Sequence, residues 1–172
     1  MKLKRKLISA FCAATVLAAP VFAETVLRLD EVAVGELDPA KASDYADSIL
    51  MFNVYDTLLL PNQGGPGHSP HLASSWEIDG TSVTFTLRDD VMFQSGNKMK
   101  AADVVYSLER MQALGAGLSY LFADVSAEAV DDSTVKFTLA SPNAAFIASL
   151  VRLPVVDMEA CLLYTSPSPR DS

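Results

Sequence analysis

Ser75-Trp76-Glu77-Ile78-Asp79-Gly80-Thr81-Ser82-Val83-Thr84-Phe85-Thr86-Leu87-Arg88 holds two alternating runs around a turn signal. Trp76 and Ile78 alternate with Ser75 and Glu77, and Val83, Phe85 and Leu87 alternate with Thr84, Thr86 and Arg88. Successive side chains of a strand point to opposite faces, so each run has a core face and a wet face. Asp79-Gly80 predicts a two-residue hairpin turn, because such turns need the positive φ that glycine adopts without steric cost.

Working outward, Val125 to Val130, Asp131-Asp132-Ser133 and the alternating Val135, Phe137 and Leu139 repeat the pattern as a second hairpin. Between the hairpins, Ala101 to Gln112 carries Ala101, Val104, Val105, Leu108 and Met111 at helical spacing, and Gly115 and Gly117 stop it. On the amino-terminal side, Val26–Leu29 reads as a short strand and Leu37-Asp38-Pro39 as a turn. A helix is expected from Asp44, as cap, to Asp56 or Thr57, with Ala46, Ile49, Leu50, Asn53 and Val54 on one face and Asp47 in the first turn. Asn62 to Pro70 is expected to be an irregular loop, and Asn143 to Leu150 a last helix before Pro154. Antiparallel hairpins mixed with helices, without regular strand-helix-strand alternation, indicate an α+β unit. Val83, Phe85, Leu87, Val104, Leu108, Val135 and Phe137 are expected to share one core.

The two ends differ from this body. Lys2, Lys4, Arg5 and Lys6 precede an apolar run from Leu7 to Ala19 and the small-residue site Val21-Phe22-Ala23, so residues 1–23 are expected to be a secretory signal. Cys12 would leave with it. Cys161 to Ser172 shifts abruptly to Ser and Pro, and Cys161 to Asp171 matches the translation of a transposase-type sequencing adapter. These residues are expected to be read-through that packs against nothing. Residues 24–160 carry 8 basic and 20 acidic side chains, a net charge of −12. Such a surface repels nucleic acid and anionic membranes, so neither is an expected partner.

Gly67-His68-Ser69-Pro70-His71 approaches the G-x-S-x-G nucleophile elbow, but His71 replaces the second glycine and no capped helix follows. An exposed loop is the reading taken. Pro70 also keeps His68 and His71 from sharing a helix face, so no metal site is expected. Asp89-Asp90 and Asp131-Asp132 sit at strand ends, where solvated turns are expected rather than catalytic pairs. Trp76 reads as core packing before ligand stacking.

Asn53-Val54-Tyr55-Asp56-Thr57-Leu58, Pro70-His71-Leu72-Ala73-Ser74-Ser75-Trp76-Glu77, Thr84-Phe85-Thr86-Leu87-Arg88-Asp89 and Ala102-Asp103-Val104-Val105-Tyr106-Ser107-Leu108-Glu109-Arg110 resemble, in order and spacing, one family. It is the extracellular solute-binding proteins of the dipeptide, oligopeptide and nickel ABC importers, known as family 5. Leu37-Asp38-Pro39, Val130 to Phe137 and Pro142 extend the likeness over Val26 to Val156. Two departures are Asp90 where the family carries Gly, expected here in a left-handed turn, and Lys100, a poor helix cap, where it carries Thr.

The resemblance implies a two-lobed periplasmic-binding-protein fold of type II, with a small extra domain on the first lobe. Residues 24–42 would start lobe I, and residues 43–160 would continue it and build most of the extra domain, the chain stopping before the second lobe. It implies a periplasmic, monomeric protein that closes on a peptide-like or other small polar solute and delivers it to an ABC permease, with no cofactor, no metal and no chemical step. A solute sensor of the same fold and a secreted hydrolase are the alternatives. Ser43, Asp44 and Tyr45, just after Leu37-Asp38-Pro39, and Tyr120, in the segment Gly117 to Phe122, correspond to cleft segments and are the candidate ligand-binding residues. Capping by Asp44 and packing by Tyr45 are their plainer roles.

Overall fold

A computed structural model of the chain describes residues 35–165. The expected signal, the Val26–Leu29 strand, Cys12 and residues 166–172 lie outside the described residues. The described strands are β1 (Leu59–Pro61), β2 (His68–Pro70), β3 (Ala73–Asp79), β4 (Ser82–Leu87), β5 (Val125–Ala129) and β6 (Thr134–Leu139). The helices are α1 (Tyr45–Val54), α2 (Ala101–Leu114), α3 (Phe146–Ser149) and α4 (Met158–Thr165), with 3-10 turns at Ser119–Phe122 and Leu150–Arg152. No helix among the described residues is long and apolar enough to cross a membrane.

The two hairpins form one antiparallel sheet in the order β3-β4-β6-β5. Val83 pairs with Phe137 and Phe85 with Val135, so the apolar positions of β4 and β6 fall on one face. α2 lies across β5 and β6 and buries Ala101, Val104, Leu108 and Met111 there. The expected seven core residues are all buried in a single cluster. An aromatic row crosses it, with Trp76 stacked on Phe85 at 6.3 Å, Phe85 edge-on to Phe137 at 5.7 Å, and Phe137 tilted against Phe146 at 5.5 Å.

α2 also has a buried polar side that holds the chain after the last 3-10 turn. Asp103 accepts from the Lys100 N–H at 2.8 Å and the Met158 N–H at 3.0 Å. The Ser107 hydroxyl donates to the Asp103 carbonyl and accepts from the Val156 N–H at 3.0 Å. Lys100 cannot accept a hydrogen bond, so Asp103 supplies the cap from the third helical position. The left-handed Gly115, at φ 60°, ends the helix as expected.

Several expectations are corrected. Asp79 pairs with Ser82, so the first hairpin turns on Gly80-Thr81 rather than Asp79-Gly80, and Gly80 takes the positive φ of 59°. Ile78 is 60% exposed, because β3 is the outer strand and α2 covers the far side of the sheet. The stretch Asn62 to Pro70 is not wholly irregular: β2 pairs with β1, and Asn62 closes the intervening loop by donating to the Gly67 and Pro66 carbonyls. Asn143 forms a local turn through its side chain to the Ala145 N–H and its carbonyl to the Phe146 N–H, so the last helix begins only at Phe146. Asp90 is not left-handed; among the described residues every positive φ belongs to glycine. Arg88 instead holds both Asp90 oxygens along one guanidinium edge, donating from Nε at 2.9 Å and from Nη2 at 2.8 Å.

At the carboxy-terminal end the structure departs from the packing expectation at one described residue only. α4 continues past Ala160, and Cys161 is half-buried, whereas Leu162 and Leu163 are exposed. The helix starts because Asp157 accepts the Ala160 N–H at 3.1 Å and its carbonyl accepts from Cys161 at 3.0 Å.

Phe137→Ala removes the ring that links both hairpins to Phe146. It is expected to lower stability by about 3–5 kcal/mol, read from urea unfolding. A loss below about 1 kcal/mol would show that the aromatic row does not hold the sheet to its cover.

Candidate functional site

The segment leading to Ser43 is held by two carboxylates. Asp38 accepts from Arg110 on α2 through two bonds of 2.7 Å and from the Ala40 N–H at 3.0 Å, while its carbonyl accepts from the Lys41 and Ala42 amides. The Arg110 hydrogen bonds hold the Asp38 carboxyl below its usual range, and Asp38 in turn raises Arg110. Asp47, buried in α1, accepts from the Glu36 N–H at 3.1 Å and the Gly35 N–H at 2.9 Å. Hydrogen bonds from the Glu36 and Gly35 amides, and from those of Asp44 and Ser43, lower its pKa against the opposing effect of burial.

This changes the reading of α1. Its buried face is Ala46, Asp47 and Met51, while Val54 and Asn53 are exposed, because the inward Asp47 rotates the expected apolar stripe. Asp44 occupies the cap position but makes no side-chain cap bond. Asp47 takes that role from the third helical position. Tyr45 is 77% exposed, so its plainer role as a packing residue is also corrected.

The second wall comes from the loop after α2. Gly117, at φ 54°, passes so close to the Lys41–Ala42 backbone that a Cβ there would lie 2.7 Å from the Lys41 carbonyl oxygen. Gln112 anchors the other side by donating from Nε2 to the Phe122 and Val125 carbonyls, each at 2.7 Å. The 3-10 turn between these anchors presents Tyr120, which is 69% exposed. Arg152, at the end of the last 3-10 turn, closes the site and places its guanidinium 5.1 Å over the Phe52 ring.

These segments enclose an open cavity of about 410 Å3 lined by Ser43, Tyr45, Ser48, Phe52, Leu118, Tyr120 and Arg152, among others. Three of the four candidate residues, Ser43, Tyr45 and Tyr120, thus meet on one cavity, and Asp44 is not in its lining. A second cavity of about 350 Å3, with Leu72, Val91, Phe93, Met99, Val155 and Cys161 in its wall, receives none of the four. Phe52 and Arg152 were not singled out from sequence. Arg152 had a signal, as the lone cation in the largely apolar run Phe146 to Val156.

The other residues weighed from sequence take structural places. His71 Nε2 lies 2.7 Å from Asp56, while His68 and Ser69 lie in β2, with the Ser69 hydroxyl donating to Asn62. Asp131 accepts from the Ser133 amide and hydroxyl, which lower its pKa, and Asp90 is lowered by Arg88. These are carboxylates stabilised in the ionised form, the opposite of what a general acid needs.

The sequence profile of the bacterial extracellular solute-binding proteins, family 5 (middle region), matches residues 68–168. The chain is 36% identical to the probable D,D-dipeptide-binding periplasmic protein DdpA of Escherichia coli K12, over 66% of this chain and 23% of DdpA. MoaA of A. tumefaciens R10, solved with mannopinic acid, superposes with a TM-score of 0.69 at 29% identity, covering 77% of this chain and 29% of that one. The ABC transporter-associated periplasmic binding protein DppA of Helicobacter pylori, solved with the peptide STSA, gives a TM-score of 0.64 at 30% identity, covering 73% of this chain and 29% of that one. The chain therefore spans about a quarter of the length of these relatives.

Two outcomes test the geometry. Gly117→Ala must place a side chain at positive φ, costing about 1–3 kcal/mol before the clash with Lys41 is counted. Faster amide exchange at 41–43 and 117–121 is expected with it, and unchanged exchange would show that the close approach does not hold the wall. Asp47 contributes stability that is present above its unfolded pKa of about 3.9 and lost as pH falls through its lower folded value. The melting temperature of Asp47→Asn is therefore expected below wild type at pH 7, the gap closing as both are titrated to pH 2. A gap independent of pH would refute that role.

Proposed function

The chain belongs to the bacterial extracellular solute-binding proteins of family 5, and on that footing we propose that it captures a peptide-like or other small polar solute in the periplasm for an ABC permease. Its α+β fold is that of the type II periplasmic binding proteins. The observation that carries the reading is the convergence of Ser43, Tyr45 and Tyr120, with Arg152, on one open cavity. Hydroxyls, aromatic faces and a single cation suit recognition of a polar organic solute, and no bond need be made or broken.

The names of relatives support the finer parts. DdpA is a probable dipeptide-binding periplasmic protein, and the Helicobacter DppA was solved with a peptide. On this reading residues 1–23 export the chain, residues 24–42 begin the first lobe, and residues 43–160 continue it and build the small extra domain. The chain spans about a quarter of its relatives' length, so the opposite wall of a closing cleft belongs to the remainder of such a protein. Closure would expel water and give the solute's polar groups fixed partners on both sides.

Calorimetry with a panel of di-, tri- and oligopeptides, on this chain and on a gene product of the relatives' length, tests the proposal. The longer protein is expected to bind at least one peptide, and this chain to bind it more weakly by two to three orders of magnitude. That is the loss of about three polar contacts at roughly 1–1.5 kcal/mol each. Equal tight binding by both would place the whole site within this chain, and a longer protein that binds no peptide would remove the peptide-like solute from the proposal.

A further inference from the structure

Three arginines lie among the described residues, and their partners differ. Arg88 is held along one guanidinium edge by both oxygens of Asp90, and Arg110 likewise by both oxygens of Asp38. Arg152 has no carboxylate partner among the described residues; its one recorded contact is the face of Phe52. This is unexpected where carboxylates outnumber cations by 20 to 8 over residues 24–160. Nor is Arg152 a fully solvated surface charge: it is half-buried and, among the described residues, supplies the only charged side chain in the wall of the 410 Å3 cavity. Its partial burial strengthens its attraction for an anion relative to bulk water.

The surroundings narrow the anion's chemistry. The Arg152 guanidinium meets no hydrogen-bond acceptor among the described residues, so its N–H fork is open to an incoming group, and that fork matches the two oxygens of a carboxylate. Around it stand Tyr45, Phe52 and Tyr120, exposed by 77%, 47% and 69%, which offer apolar faces to whatever enters. The Ser43 and Ser48 hydroxyls add neutral donors on the same wall. A bare inorganic anion would leave the aromatic faces unused, and an uncharged solute would leave Arg152 unpaired.

We propose that this cavity seats the carboxylate end of an amphiphilic solute, with Arg152 as the counter-ion and Tyr45, Phe52 and Tyr120 as the walls for the adjoining apolar or aromatic group. The inference rests on the solute-capture reading and assigns the class of chemical group that its cavity takes.

The test uses the 172-residue chain and two probes that differ in one group, N-acetyl-phenylalanine and its uncharged amide. NMR titration follows the Arg152 Nε–H signal and the ring signals of Tyr45, Phe52 and Tyr120. The carboxylate is expected to move all four and to bind about tenfold more tightly than the amide, as a charged hydrogen-bonded pair requires. Arg152→Gln is expected to erase that preference and Arg152→Lys to retain part of it. The wild-type contrast needs no variant to fold. Equal affinity of the two probes, no binding of either, or movement only of signals outside the cavity would overturn the proposal. Peptides that bind in the calorimetric assay without moving Arg152 would also overturn it while leaving solute capture intact. A carboxylate preference at Arg152 in a protein that takes up no peptide would keep the subsite and remove the peptide from the functional reading.

Discussion

When β4 lies antiparallel to β6, Val83 meets Phe137 and Phe85 meets Val135, and two separate hairpins acquire one continuous apolar face. Neither hairpin has this alone, since a two-stranded ribbon cannot bury a face in water. The shared face is what α2 covers, and the helix occupies the chain between the two hairpins. Several walls of the candidate cavity are tied to that helix. Arg110 on α2 fixes the turn before Ser43, Gln112 fixes the loop carrying Tyr120, and Ser107 and Asp103 hold the segment that follows Arg152.

The cavity walls are therefore irregular segments on a regular support, and polar bonds set their geometry. Asp38 and Asp47 convert a stretch with no regular structure into a fixed approach to α1. Gly117 then permits the opposite loop to lie against that approach at a distance no side chain allows. A recognition surface built this way can vary its exposed residues, such as Tyr45 and Tyr120, without disturbing the sheet. Relatives of the same fold have been solved with a peptide and with mannopinic acid.

The hairpins, α2 and the core could be read from the sequence because their signals are periodic and local. Alternation names the inward residues of β4 and β6 whatever their partners, and only β3 misleads, since Ile78 has the right period but nothing packed above it. The α1 face was misread for the complementary reason. Helical spacing favours the apolar positions, but the free amides of Gly35 and Glu36, which precede the helix, draw Asp47 inward. For the cavity, family likeness supplied Ser43, Tyr45 and Tyr120, whereas Phe52 and Arg152 enter through a contact spanning a hundred residues of chain. No local pattern encodes such a meeting.

The outer position of β3 has another consequence. An unpaired strand edge invites the edge of a second molecule, and an exposed isoleucine adds to the attraction. β3 carries Glu77 and Asp79 beside Ile78, and its register with β4 shifts between Ala73 and Ser75. Two like charges would face their own copies in edge-to-edge stacking, and the irregularity shortens the straight run available to such a ladder. The acidity of this strand is thus a safeguard against intermolecular β-sheet growth, acting at one of the sheet's two outer strands.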